Sequence, residues 1–111
     1  MCIRDSVLDR IASSVGPIRA AFSYGPERVE RVGVVTGGGA NFFEEALERG
    51  ADLFVTGEPS EQSQGYAREL AGTFVAAGHH ATERFGPRDL GEHIAEHFGV
   101  RVTFIDSDNP V

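Results

Sequence analysis

The run Gly78-His79-His80-Ala81-Thr82-Glu83 brings two imidazoles and a carboxylate together within five residues. Nitrogen and hard oxygen donors of this kind suit zinc, manganese or iron. If these residues form a helical turn, His79 and Glu83 share one face, His80 points elsewhere, and Thr82 can support the ligands by hydrogen bonding. The competing reading is that one histidine caps the following helix and Glu83 complements its dipole. The only cysteine is Cys2, so a sulfur-rich site and an intrachain disulfide are both excluded. A catalytic zinc usually takes about three protein ligands plus water, and this run offers two strong ones. Glu58 and Asp106, at neighbouring strand ends, could add carboxylates, although each also reads as an ordinary loop residue. An absent segment or a partner chain accounts better for the shortfall.

Other residues compete for chemistry with less support. Thr36-Gly37-Gly38-Gly39, between a strand and a helix, could turn backbone N–H groups toward an anion. It lacks both the spacing of the dinucleotide fingerprint and the lysine of a P-loop, so tight turning and close helix packing is the simpler expectation. His93 and His97 stand four apart but fall beside Glu92 and Glu96, on what reads as a solvated helix face. Ser60 and Ser63 sit in a predicted helix without a matching histidine, so no nucleophilic triad is indicated.

The elements that must position these residues follow from periodicity. Val7, Leu8, Ile11, Ala12 and Val15 recur at helical spacing until Gly16-Pro17. Ile18–Phe22 reads as a short strand, and Val29, Val32, Val34 and Val35 as a β-branched run entering the glycine loop. Phe42, Phe43, Ala46 and Leu47 predict a helix stopping at Gly50, followed by a strand at Leu53–Val55. Ser60–Leu70 suits a polar helix with Tyr66, Ala67 and Leu70 inward, and Thr73–Ala77 a third apolar strand. Pro87 opens a helix carrying Leu90, Ile94, Ala95 and Phe98 inward to Gly99, before a last strand at Val100–Ile105. Strands alternating with helices predict an α/β fold with a mixed or largely parallel sheet. The loops at 36–39, 56–58 and 78–83 then open at one sheet edge, where ligands of such sheets bind.

At 111 residues and 41% hydrophobic content, one domain with one core is expected. The net charge of -7, with scattered Lys and Arg, argues against a nucleic-acid partner. No apolar run approaches the roughly 20 residues of a membrane span and no secretory leader opens the chain, so a cytoplasmic protein is expected. Met1–Ser6 looks like a translated sequencing adapter and is set aside from fold reasoning, leaving residues 7–111 as the domain.

Taken jointly, Val34-Val35-Thr36-Gly37-Gly38-Gly39, Thr56-Gly57-Glu58-Pro59-Ser60-Glu61-Gln62, Gly78-His79-His80-Ala81-Thr82-Glu83-Arg84 and Phe104-Ile105-Asp106-Ser107-Asp108-Asn109-Pro110 resemble the dinuclear-metal-centre hexameric protein family. That family is NGG-interacting-factor-like and is also called GTP cyclohydrolase 1 type 2. The resemblance covers residues 7–111 and implies the C-terminal part of an α/β protein about twice as long, assembled as a toroidal hexamer with two divalent ions per subunit. It implies that His79 binds one metal and that Glu83 bridges both. A His-His pair and a later Asp would then come from an N-terminal segment absent here, so this chain alone is expected to be inactive. Thr36, Glu58, His80 and Thr82 are the candidates to support the ligands. The implied activity is metal-dependent hydrolysis, with paired ions about 3.5–4 Å apart activating water toward a phosphorylated or cyclic-amidine substrate. The alternative is a non-catalytic metal-binding or scaffold protein acting through its ring.

Overall fold

The structure, a computed structural model, describes residues 2–111. Its elements run β1 (Cys2–Ile3), α1 (Arg4–Ser14), β2 (Ala20–Ser23), β3 (Arg28–Val29), β4 (Val32–Val34), a 3-10 turn (Ala40–Phe42), α2 (Phe43–Glu48), β5 (Leu53–Thr56), α3 (Ser63–Glu69), β6 (Thr73–Ala76), α4 (His79–Glu83) and α5 (Phe85–Phe98). The main sheet has the order β2-β6-β5-β4. β4 and β6 flank β5 in parallel, and β2 joins β6 antiparallel, so the α/β sheet is mixed but largely parallel.

Every residue of β5 and β6 is buried, because helices cover the sheet on both sides. The two-residue period of a strand divides their side chains between the layers. Leu53, Val55 and Val75 face a cluster closed by Val7, Leu8, Ile11 and Val15 of the α1 region. Phe54, Phe74 and Ala76 face the other cluster, with Phe43 of α2 and Ala67 of α3. Phe74 is its centre, with ring centroids 5.1 Å from Phe43, 5.9 Å from Phe54 and 5.8 Å from Phe22. Burying each such ring stabilises the fold by roughly 1.5–3 kcal/mol.

Residues 2–6, set aside in the sequence reading, have defined places. Cys2 and Ile3 pair antiparallel with Val29 and Arg28. Arg4 opens α1, and its guanidinium donates to Gly25 O at 3.0 Å.

The structure corrects several expectations. The segment Val100–Ile105 forms no strand and is exposed throughout. It turns back along α5 instead, with Val102 lying over Gly91, and so reaches neither edge of the sheet. α5 forms and stops at Gly99, whose φ of 65° is the left-handed value favouring glycine. Its supposed inner face is only half inside: Ile94 and Ala95 are half-buried, but Leu90 and Phe98 are 59% and 69% exposed. Both sheet faces are already covered by α1, α2 and α3, so α5 packs against α4 and leaves the body. The radius of gyration, 15.5 Å, exceeds the ~13 Å of a compact domain of similar size for the same reason. Within α3 only Ala67 of the three predicted residues is buried, together with Ser63, while Tyr66 and Leu70 stay exposed. No helix among the described residues is long and apolar enough to cross a membrane.

Candidate functional site

β4, β5 and β6 run parallel, so the loops at their C-terminal ends meet. They are stitched by the backbone: Gly57 N donates to Gly37 O at 2.8 Å, and Gly78 N to Gly57 O at 2.9 Å. Two buried threonines complete the seam. Thr56 Oγ1 donates to Gly37 O and accepts from Gly39 N, at 3.1 and 3.0 Å. Thr82 Oγ1 accepts from Gly37 N at 2.9 Å and donates to His79 O at 3.1 Å. The glycine-loop amides at 37 and 39 are thus satisfied internally, as the packing reading of that loop expects.

On this seam stands α4, one short turn carrying both predicted ligands. His79 Nε2 lies 3.2 Å from Glu83 Oε2. On the other edge of the same ring, His79 Nδ1 is hydrogen-bonded to Glu58 Oε1 from the β5 loop. That bond, aided by the charge of Glu83 and opposed by partial desolvation, holds His79 above the ordinary imidazole range. All three side chains are between 38% and 51% exposed, so the site is open to solvent.

Glycines make the room. A Cβ on Gly57 would lie 2.5 Å from Gly37 O and 2.6 Å from His79 Cα. One on Gly37, where φ is 68°, would overlap Glu83 Oε1 and come within 3.0 Å of His79 Nε2. Sequence reading weighed Gly37 as part of a tight turn or an anion-binding loop, not as a neighbour of the ligands. The signal that it borders the site is its distance from residue 83, which only the fold closes.

The remaining candidates separate. His80 does point away, with Nε2 2.8 Å from Asp106 Oδ1. Asp106 also faces Arg84 and does not reach His79, so it adds no carboxylate there. The hydrogen bond from His80, together with that from Ser107 N, holds the Asp106 carboxyl below its ordinary range. Thr36 is exposed and takes no part in the seam. His93 and His97 stack at 6.2 Å on the exposed side of α5. Ser60 and Ser63 hydrogen-bond each other.

Glu58 and Glu83 approach opposite edges of the His79 ring, which keeps them from a common centre. Among the described residues no three His, Cys, Asp or Glu side chains converge to hold an ion. What is present fits a partial metal site, with Nε2 and a carboxylate facing one space and Nδ1 fixed by a second carboxylate.

The family model described as Duf34/NIF3 (NGG1p interacting factor 3) matches residues 4–110. The chain belongs to the Duf34/NIF3 family. It is 52% identical over 85 residues to the GTP cyclohydrolase 1 type 2 homolog of Yersinia pestis, covering 77% of this chain and 34% of that protein. Among solved structures it resembles "protein ybgI, unknown function" at 44% identity and a TM-score of 0.89, covering 96% of this chain and 43% of that one. The protein TTHA1606 from Thermus thermophilus gives the same TM-score at 30% identity, covering 99% of this chain and 44% of that one. The chain therefore spans about a third of the length of the curated relatives it matches. In Duf34/NIF3 terms, the described fold carries one set of loops at one sheet edge, and His79, Glu83 and Glu58 are its chemically equipped part.

Proposed function

We propose that this Duf34/NIF3 chain contributes His79 and Glu83 as ligands to a divalent metal site, zinc, manganese or iron, completed by residues outside the sequence described. In the longer protein that site would serve a metal-dependent hydrolase of the kind its relatives' names suggest. One observation carries the reading: the two nitrogens of His79 are divided between two carboxylates. Glu58 on Nδ1 sets the ring's tautomer and orientation, which leaves Nε2 facing Glu83 in the manner of a carboxylate-supported histidine ligand. Thr82 fixes the backbone beneath His79. A bound ion would polarise a substrate oxygen or a water molecule. This chain's residues hold, orient and leave space.

Metal content per chain, by mass spectrometry of this protein and of a full-length relative, each beside its His79→Ala counterpart, tests the site. Retention of metal by His79→Ala would overturn it. For the activity, a full-length relative is assayed on a panel of nucleotides and phosphoesters, with the counterpart of Glu83 changed to Ala. Metal-dependent turnover lost in that variant supports the hydrolase; silence across the panel favours the non-catalytic metal-binding scaffold.

A further inference from the structure

The helix that carries His79 is five residues long and has no side-chain N-cap. Its C-terminal end runs through Arg84 into α5, but its N-terminal end has no such support, since the first N–H groups of a helix lack partners within it. Here the missing partner comes from the far end of the sequence. His80 N donates to the Val111 main-chain oxygen at 2.8 Å. The His80 ring is held too, its Nε2 donating to Asp106 Oδ1 at 2.8 Å, while Asp106 Oδ2 faces Arg84 NH1 at 3.5 Å. The segment is shaped for this by its own side chains. Asp106 Oδ1 accepts from Ser107 N, and Asn109 Oδ1 accepts from Val111 N, at 2.9 and 3.0 Å.

We propose that the segment 106–111 is the cap of α4 and that Asp106 is a positioning residue for His79, acting through His80. Adjacent residues on a helix point about 100° apart, so a helix gripped at the amide and ring of His80 cannot rotate, and His79 keeps facing Glu58 and the Gly37 loop. The same segment walls the site. Asn109 and Val111, with His79, His80 and Glu83, line an open hollow of about 330 Å³. The role in metal binding rests on the proposed function; the capping of α4 does not.

The test is amide hydrogen exchange on the 111-residue protein, wild type beside Asp106→Ala and Asp106→Asn. Asp106→Ala is expected to speed exchange at residues 80–83 roughly 5–30-fold, with β5 and β6 unchanged. Asp106→Asn keeps an oxygen that accepts from His80 Nε2 and is expected to restore most of the protection. In a full-length relative, titration with zinc alone is expected to show affinity about tenfold weaker when the counterpart of Asp106 is changed to Ala. Unchanged exchange at 80–83, or a uniform rise through the whole sheet, would overturn the cap whatever zinc does. If that relative takes up no zinc while the exchange pattern holds in this chain, the metal reading falls and the placement of His79 by Asp106 stands.

Discussion

Glu83 Oε2 stands 3.2 Å from His79 Nε2, one helical turn along α4, in a space that exists because Gly37 has no side chain. The relationship joins two parts of the chain far apart in sequence, and the predictions below probe each side of it.

Loss of either ligand should abolish metal uptake, whereas loss of the supporting carboxylate should weaken it. Glu58→Gln keeps the size of the side chain but removes the charge that orients His79, and an affinity roughly 10–100-fold lower is expected. Titration with zinc of a full-length relative carrying the corresponding changes measures both effects. Wild-type affinity in Glu58→Gln would show that Glu58 is an ordinary loop residue.

Gly37→Ala should damage the site more than the core. The added methyl meets Glu83 and His79, and a φ of 68° costs a non-glycine residue about 1–3 kcal/mol of strain. Urea denaturation should report a loss of that order, and zinc binding by a full-length relative with the same change should weaken although both ligands are kept. Full binding with native stability would mean that Glu83 moves aside freely.

The stability contributed by the Glu58–His79 pair should depend on pH with a definite sign. The folded pKa of His79 is raised, chiefly by the hydrogen bond with Glu58, so the contribution is full below the ordinary imidazole range and is lost as pH rises through the raised value. Melting curves over about pH 5 to 8 should show wild type and Glu58→Gln converging as pH increases. Metal uptake should run the other way, since the ligand must be neutral. A stability difference that widens with pH would contradict the pairing.

Phe74→Ala should cost about 3–5 kcal/mol, because the ring is fully buried and contacts three other phenylalanines. Denaturant midpoints of wild type and variant measure it; a loss below about 1 kcal/mol would mean the cluster collapses to fill the cavity.

Much of the fold was legible because local patterns dictate local structure. The continuous apolar runs at 53–55 and 73–77 could only be buried strands, and the glycines after them marked their ends. The spacing of His79 and Glu83 placed them on one face of any helix that formed, and the structure has that helix. The same reasoning failed at Val100–Ile105 and on the inner face of α5. Alternation and amphipathicity state that a surface can be buried, not that a partner is there to bury it, and both sheet faces were already taken. Four relationships lie beyond any local pattern: Glu58 on Nδ1 of His79, Gly37 beneath Glu83, Thr82 against the glycine loop, and Asp106 on His80. Each joins residues separated by 21 to 46 positions, and parallel strand pairing is what carries the first three together. The residue types and their spacing were therefore written in the sequence. Their convergence was decided by the sheet, because only backbone hydrogen bonding between distant strands brings those loops to one edge.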